Sequence, residues 1–129
     1  MRGKRLRRRS MLSALDANAA LRYLLWGVED QAEQVREAVL EGASIDVVVL
    51  AEVVYVLAGV YRFSRTEIDM ALENLIDDVS MFDEHIVRSA LRMYAMSRLD
   101  FVDCWLIARN VLTGEHVLTF DKAMLKLLR

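Results

Sequence analysis

At 129 residues the chain is long enough for one domain with a proper hydrophobic core, and 55% hydrophobic with 28% charged residues is ordinary for a soluble globular α/β or α protein. The single cysteine, Cys104, excludes an intrachain disulfide and fits a reducing, cytoplasmic setting. The net charge of −2 hides an asymmetry: six of the 17 Lys/Arg lie in MRGKRLRRRS, and without those six charges the remaining 119 residues carry −8.

The basic stretch 1–10 has two readings. It is a tail that binds nucleic acid, or an extension, disordered or not native, ahead of a natural first residue at Met11. A signal peptide is not expected, because the apolar stretch after it is broken by Asp16, Asn18 and Arg22 and no small-residue cleavage site follows. The longest apolar run, Val47 to Tyr61, is interrupted by Glu52 and too short to span a bilayer. Residues 11–129 are read as one domain.

In chain order, Met11 to Leu15 is short and apolar, then Asp16-Ala17-Asn18 forms a polar corner before a helical pattern through Leu21, Leu24 and Leu25. Val28 to Gly42 carries Val35, Ala38 and Val39 at helical spacing and is ended by Gly42. Ile45 to Leu50 is a β-branched run that suits a parallel strand covered on both faces. It passes into AEVVYVLAGVY, helical in length and apolar nearly all round.

Ser64 and Glu67 stand at capping-box spacing before a stripe of Ile68, Ala71, Leu72, Leu75 and Ile76. Val79 to Phe82 reads as a weak strand, and Asp83 opens a helix through Val87, Ala90, Leu91 and Tyr94. A helix headed by Asp100 and Asp103, a strand from Val117 to Phe120 and a terminal helix from Ala123 to Leu128 complete the chain. Alternating strands and helices predict a three-layer α/β/α domain around a central, mainly parallel sheet, whose ligands would bind outside the carboxyl ends of the strands.

Five carboxylates fall at that edge. Asp16 follows the first strand and reads equally as an N-cap and as a group facing the ligand. Glu52 lies just after a buried strand, in the first turn of an apolar helix. Burying it unpaired costs several kcal/mol. The helix dipole returns only about 0.3–1 kcal/mol. A cation or a buried Arg would settle that balance, unless the side chain reaches solvent. Asp100 and Asp103, at i and i+3, share one helical face about 5–6 Å apart and repel unless a cation sits between them; each could also serve the helix start. Asp121 closes the last strand, with Thr119 two residues earlier on the same side, and could cap the terminal helix.

Oxygen-only ligands suit Mg²⁺ or Mn²⁺ rather than zinc. His85 and His116 are not spaced as a metal pair, and Cys104 reads as a small buried residue.

These motifs resemble the PIN-domain ribonucleases, and among them the VapC-type toxins of toxin–antitoxin pairs. The matching elements are LDANAALRYLL around Asp16 and Asn18, VVLAEVVYVL around Glu52, LDFVDCWLIA around Asp100 and Asp103, and VLTFDKAMLKL around Asp121. They fall in the family's order and cover nearly all of 11–129.

The resemblance implies a Mg²⁺- or Mn²⁺-dependent endoribonuclease. Asp16, Glu52, Asp103 and Asp121 match the usual acidic quartet, Asp100 a less uniform extra carboxylate, and Asn18 and Thr119 polar residues supporting the metal site. It implies RNA as substrate, with Arg22, Arg98, Arg109 and Lys122 as candidates to bind it. It also implies a cognate VapB-like antitoxin placing an Arg among the carboxylates. Exposed apolar residues near the first helices, Tyr23 and Trp26 among them, would form the antitoxin groove or a homodimer face, or else ordinary core.

Two readings from other classes stand beside it. One is a receiver-like α/β module that binds Mg²⁺ and a phosphoryl group. It lacks the second acidic residue after the first strand and has Glu52 where a phosphoacceptor Asp would be. The other is a catalytically inactive PIN-like interaction module, against which the complete acidic set argues.

Overall fold

The structure, a computed structural model, describes residues 12–25 and 29–129. The basic stretch 1–10, Met11 at the head of the expected first strand, and Trp26 to Val28 lie outside the described residues. The described chain forms helices α1 (Ala17–Leu25), α2 (Glu29–Leu40), α3 (Val47–Gly59), α4 (Arg65–Asp78), α5 (Glu84–Met96), α6 (Phe101–Thr113) and α7 (Lys122–Leu125).

The central parallel sheet expected of an α/β domain is not there. Helix accounts for 68% of the structure, with no sheet among the described residues. What remains of the expected strands is two isolated parallel bridges, Ala14 to Ser44 and Ser44 to Ser80. Four backbone bonds make them: Leu15 N–H to Ser44 O (2.8 Å), Ser44 N–H to Ser13 O (2.9 Å), Ile45 N–H to Ser80 O (3.0 Å) and Ser80 N–H to Ala43 O (2.9 Å).

The run Ile45 to Leu50 shows why. A short, fully apolar segment fits a buried strand and a buried helix equally, and length arbitrates. Here the run continues without a break into α3, and the Asp46 carbonyl already accepts the Leu50 N–H at 2.9 Å. The helix therefore takes Val47 onward and leaves only the residues before it extended. Val117 to Phe120 likewise forms no strand. Its outer residues, Leu118 (79% exposed) and Phe120 (90%), face solvent, and no ladder partner lies alongside among the described residues.

The chain divides into two compact units, residues 1–53 with 74–82, and 54–73 with 83–129. In the first, α1 packs on α2. Leu15, Val35, Val39 and Ala43 form a buried cluster, with Ala19, Tyr23, Ala38 and Val79 against it. Gly42, at φ +99°, ends α2: Ala43 N–H reaches the Ala38 carbonyl and Gly42 N–H that of Val39, both at 3.0 Å. That left-handed turn is the reason for a glycine there. The Tyr23 hydroxyl donates to Asp78 Oδ2 at 2.7 Å, and burial together with that bond and charge pushes its pKa up to about 12.

In the second unit α5 packs on α6. Ile86, Val87, Ala90, Leu91 and Tyr94 are buried on α5, and Phe101, Cys104, Ile107 and Ala108 on α6. Tyr94 meets Phe101 edge to face, with centroids 6.5 Å apart. The predicted capping box at the start of α4 is present in full. Ser64 N–H donates to Glu67 Oε1 at 2.8 Å, and Glu67 N–H donates to Ser64 Oγ at 3.1 Å.

Asn110, buried on α6, fastens the end of the chain. Its amide donates to the carbonyls of Glu115 (2.9 Å) and Arg129 (3.0 Å), and its Oδ1 accepts the Arg129 N–H at 2.7 Å.

Candidate functional site

Asp16 and Glu52 belong to the first unit. Asp16 is exposed and caps α1: its Oδ1 accepts the Ala19 N–H at 2.8 Å and its carbonyl the Ala20 N–H at 3.0 Å. Only Oδ1 takes part in the cap, so capping and ligand binding do not compete for the same oxygen. Asn18 is exposed in the first turn behind it.

Glu52 departs from expectation. Because α3 begins at Val47, Glu52 sits near the middle of the helix rather than in its first turn, and it is exposed. Nor is α3 apolar and buried all round. Val48 (74% exposed) and Tyr55 (75%) share the solvent face with Glu52, one turn to either side. Exposed Glu52 therefore needs no cation to offset a burial cost.

Asp100, Asp103 and Asp121 belong to the second unit. Asp100 holds the N-cap position of α6 with extended backbone (φ −64°, ψ 153°), and its carbonyl accepts the Cys104 N–H at 3.0 Å. Its carboxylate makes no capping bond. Asp103 is half-buried in the first turn. Its carboxyl is held above the usual carboxylate range, first by burial and then by the charges of Asp100 and Asp121.

A helix N-terminus by itself favours an anion by about 0.3–1 kcal/mol. At Asp103 desolvation and like charge outweigh that.

Asp121 caps α7 through one oxygen, Oδ1, which accepts the N–H groups of Ala123 (2.8 Å) and Met124 (3.1 Å). Thr119 fixes Asp121 from the other side. Its Oγ1 accepts the Asp121 N–H at 3.1 Å and donates to Met124 Sδ at 3.7 Å. Asp100 and Asp121 thus act on Asp103, and none of the three has a cationic side chain paired to it among the described residues.

The expected RNA-binding cations divide into two kinds. Arg109 is engaged, paired with Glu115 and stacked over Trp105 at 4.8 Å, and Arg22 Nε donates to Gln31 Oε1 at 2.7 Å. Arg98 and Lys122 are exposed and make no ion pair among the described residues. His85 and His116 are both exposed, and Cys104 is fully buried, its thiol pushed up by burial.

Sequence reasoning missed Arg65. Its Nη1 donates to the carbonyls of Tyr94 (2.9 Å) and Leu99 (2.8 Å), and its guanidinium lies 4.0 Å from the centre of the Tyr94 ring. A signal was available, because an Arg at the first position of a helix stands against the dipole and must be held by something else.

Among the described residues, no group of three or more His, Cys, Asp or Glu side chains is placed to enclose one metal ion. The donor chemistry nevertheless fits a hard divalent cation. The set is carboxylate oxygen, and Asp103 has no cationic side chain paired to it among the described residues. Magnesium needs only one or two carboxylates, with waters and substrate phosphate completing its shell, and not an all-protein cage.

A model of the PIN domain family matches residues 14–127, and the chain belongs to that family. PIN domains are typically nucleases that use divalent metal ions and bind RNA. No curated protein and no solved structure matches the chain. Among the described residues no helix is long and apolar enough to cross a membrane.

Proposed function

We propose that the chain is a Mg²⁺- or Mn²⁺-dependent endoribonuclease, the toxin of a type II toxin–antitoxin pair, with residues 11–129 as its one PIN domain. Asp16, Glu52, Asp103 and Asp121 are the catalytic carboxylates, Asp100 an additional metal-side carboxylate, and Asn18 and Thr119 supporting groups. The observation that carries this reading is the half-buried Asp103 beside Asp100 and Asp121, within a chain that the family matches from residue 14 to 127.

The chain's own residues divide the work. Asp103, raised by burial and by its two acidic neighbours, is the carboxylate with most to gain from a cation. Asp121 is fixed through Oδ1 by two backbone N–H groups and Asp16 through Oδ1 by one, so each presents Oδ2 in a set direction. Thr119 holds the backbone of Asp121. A divalent ion, when bound, supplies acidification of water and neutralisation of the charge that builds on the scissile phosphate. Exposed Arg98 and Lys122 offset the repulsion between an acidic body and RNA. A VapB-like antitoxin would compete for the same carboxylates through an Arg, and a homodimer in the cytoplasm completes the reading.

RNA cleavage measured with Mg²⁺ or Mn²⁺, and repeated with Asp16→Asn and Asp103→Asn, tests the assignment. Metal-dependent cleavage lost in either variant supports it, and undiminished cleavage in both overturns it. A wild-type chain that cleaves no RNA with either ion would instead be an interaction module. A small antitoxin-like reading frame beside the gene is the cheapest check of the toxin role.

A further inference from the structure

We propose that Arg65 is the positioning residue of the acidic corner: by clamping the connection between α5 and α6 it sets where Asp100 and Asp103 stand toward a divalent ion. The inference rests on the metal-dependent reading above and concerns the second unit alone.

The connection from Ser97 to Asp100 is short, and its fastening converges on Leu99, the residue before Asp100. The Leu99 N–H donates to Ser97 Oγ at 3.3 Å. The Leu99 carbonyl accepts from Arg65 at 2.8 Å and lies 4.0 Å from the Cys104 thiol. Ser97 Oγ in turn lies 3.8 Å from Cys104 Sγ. Of these contacts only the one from Arg65 is charge-assisted, and sulfur contacts of this length are weak.

The same guanidinium holds the Tyr94 carbonyl, in the last turn of α5, and stacks on the Tyr94 ring. Arg65 therefore reaches from the positive end of α4 to the negative end of α5, where its charge is favourable. Asp100 has no capping bond of its own, so its place follows from the backbone one residue earlier. A lysine keeps the charge but cannot both stack as a plane and hold two carbonyls.

The test uses the full chain, with two measurements other than cleavage. Mn²⁺ affinity is measured by calorimetry, and alkylation of Cys104, the only cysteine, is measured without metal. Arg65→Lys should weaken Mn²⁺ binding about 10- to 100-fold, as loss of a group that orients a metal ligand does. It should also expose Cys104 to iodoacetamide faster than Val39→Ala, a core truncation in the first unit that serves as the control for general loss of stability. Mn²⁺ affinity equal to wild type, or Cys104 labelling no faster than in a control of matched thermal stability, overturns the inference.

Should Arg65→Lys not fold, Ser97→Ala loosens the same corner without touching charge. It must then show a smaller shift of both readouts in the same direction, or the inference fails. Asp103→Asn separates the two levels. If it binds Mn²⁺ as wild type does, the carboxylate reading falls and this inference with it. If it loses Mn²⁺ while Arg65→Lys does not, only the role of Arg65 falls.

Discussion

The starts of α4 and α6 carry the same pattern, a capping-type residue followed three positions later by an acid, and they do opposite things with it. At α4 the pair is Ser64 and Glu67. Each side chain takes up the other's backbone N–H, and Glu67 is drawn below the usual carboxylate range, first by the Ser64 N–H and then by its hydroxyl. At α6 the pair is Asp100 and Asp103. Neither carboxylate is used on the helix end, and Asp103 is driven upward by burial, Asp100 and Asp121. One helix start spends its acid on holding the fold together. The other keeps negative charge in reserve, which is what a cation site requires.

The largest break in that comparison comes from Asp103→Asn. If Asp103 is a metal ligand, as proposed above, the change should reduce metal-dependent RNA cleavage at least about 100-fold by removing a ligand of the charge-neutralising ion. Its melting temperature without metal should be equal to or above that of wild type, because the removed charge was unfavourable there. The matching change at α4, Ser64→Ala, should do the reverse. Losing an N-cap costs about 1 kcal/mol. For a chain of this size that lowers Tm by about 3–5 °C. Cleavage at a temperature where both proteins are folded should be unchanged. Circular dichroism melts and a labelled-RNA assay on the two variants decide both halves.

How much of this contrast the amino-acid pattern discloses depends on how local each feature is. The box at Ser64 and Glu67, the spacing of Asp100 and Asp103, the cap at Asp121 and the burial of Cys104 are set within a few residues, and all are legible. The expected sheet was not, because Ile45 to Leu50 and Val117 to Phe120 carry strand composition without any local statement of a partner. A ladder is a contact between distant segments, and among the described residues only Ala14, Ser44 and Ser80 form even isolated bridges.

Glu52 misleads for a related reason. Its exposure depends on where α3 begins, four residues earlier than a strand reading allows. Arg65 was hidden too, since the carbonyls that it holds lie 29 and 34 residues further on.

A second acidic pair sharpens the comparison on α4 itself. Asp69 stands one turn before Glu73 with its Oδ1 buried and unbonded, and burial, the hydrogen bond its protonated carboxyl donates to Glu73 and the charge of Glu73 raise it to about 6. Arg92 and Arg88 approach Glu73 at 3.3 and 3.5 Å, and the charge of Arg92 offsets only part of this. A carboxyl raised in the folded state binds its proton more tightly there, so stability falls as pH climbs from about 4 to about 6. Asp69→Asn should flatten that stretch of the stability profile and raise stability at pH 7 by about 1 kcal/mol. Urea midpoints across that range measure it, and a profile identical to wild type would place the proton elsewhere.

The smallest effect separates the two helix starts by sign alone. Glu67 is lowered in the folded state, so its contribution is complete above the pKa of an unfolded glutamate and is lost as pH falls through the lowered one. Asp103 is raised, so ionising it costs stability as pH rises through the ordinary aspartate range to the raised one. Removing Glu67 as Glu67→Gln should therefore make the acid limb of the stability curve shallower, while Asp103→Asn should make it steeper. Metal reverses only the second. On the proposed reading a cation would displace the proton from Asp103, so Mn²⁺ affinity should rise with pH across the range where Asp103 titrates and lose that dependence in Asp103→Asn. Ser64→Ala, which touches no metal-side carboxylate, should leave the pH dependence of Mn²⁺ binding as it is. If both variants flattened it equally, the metal would answer to the charge of the whole chain and not to the corner at α6.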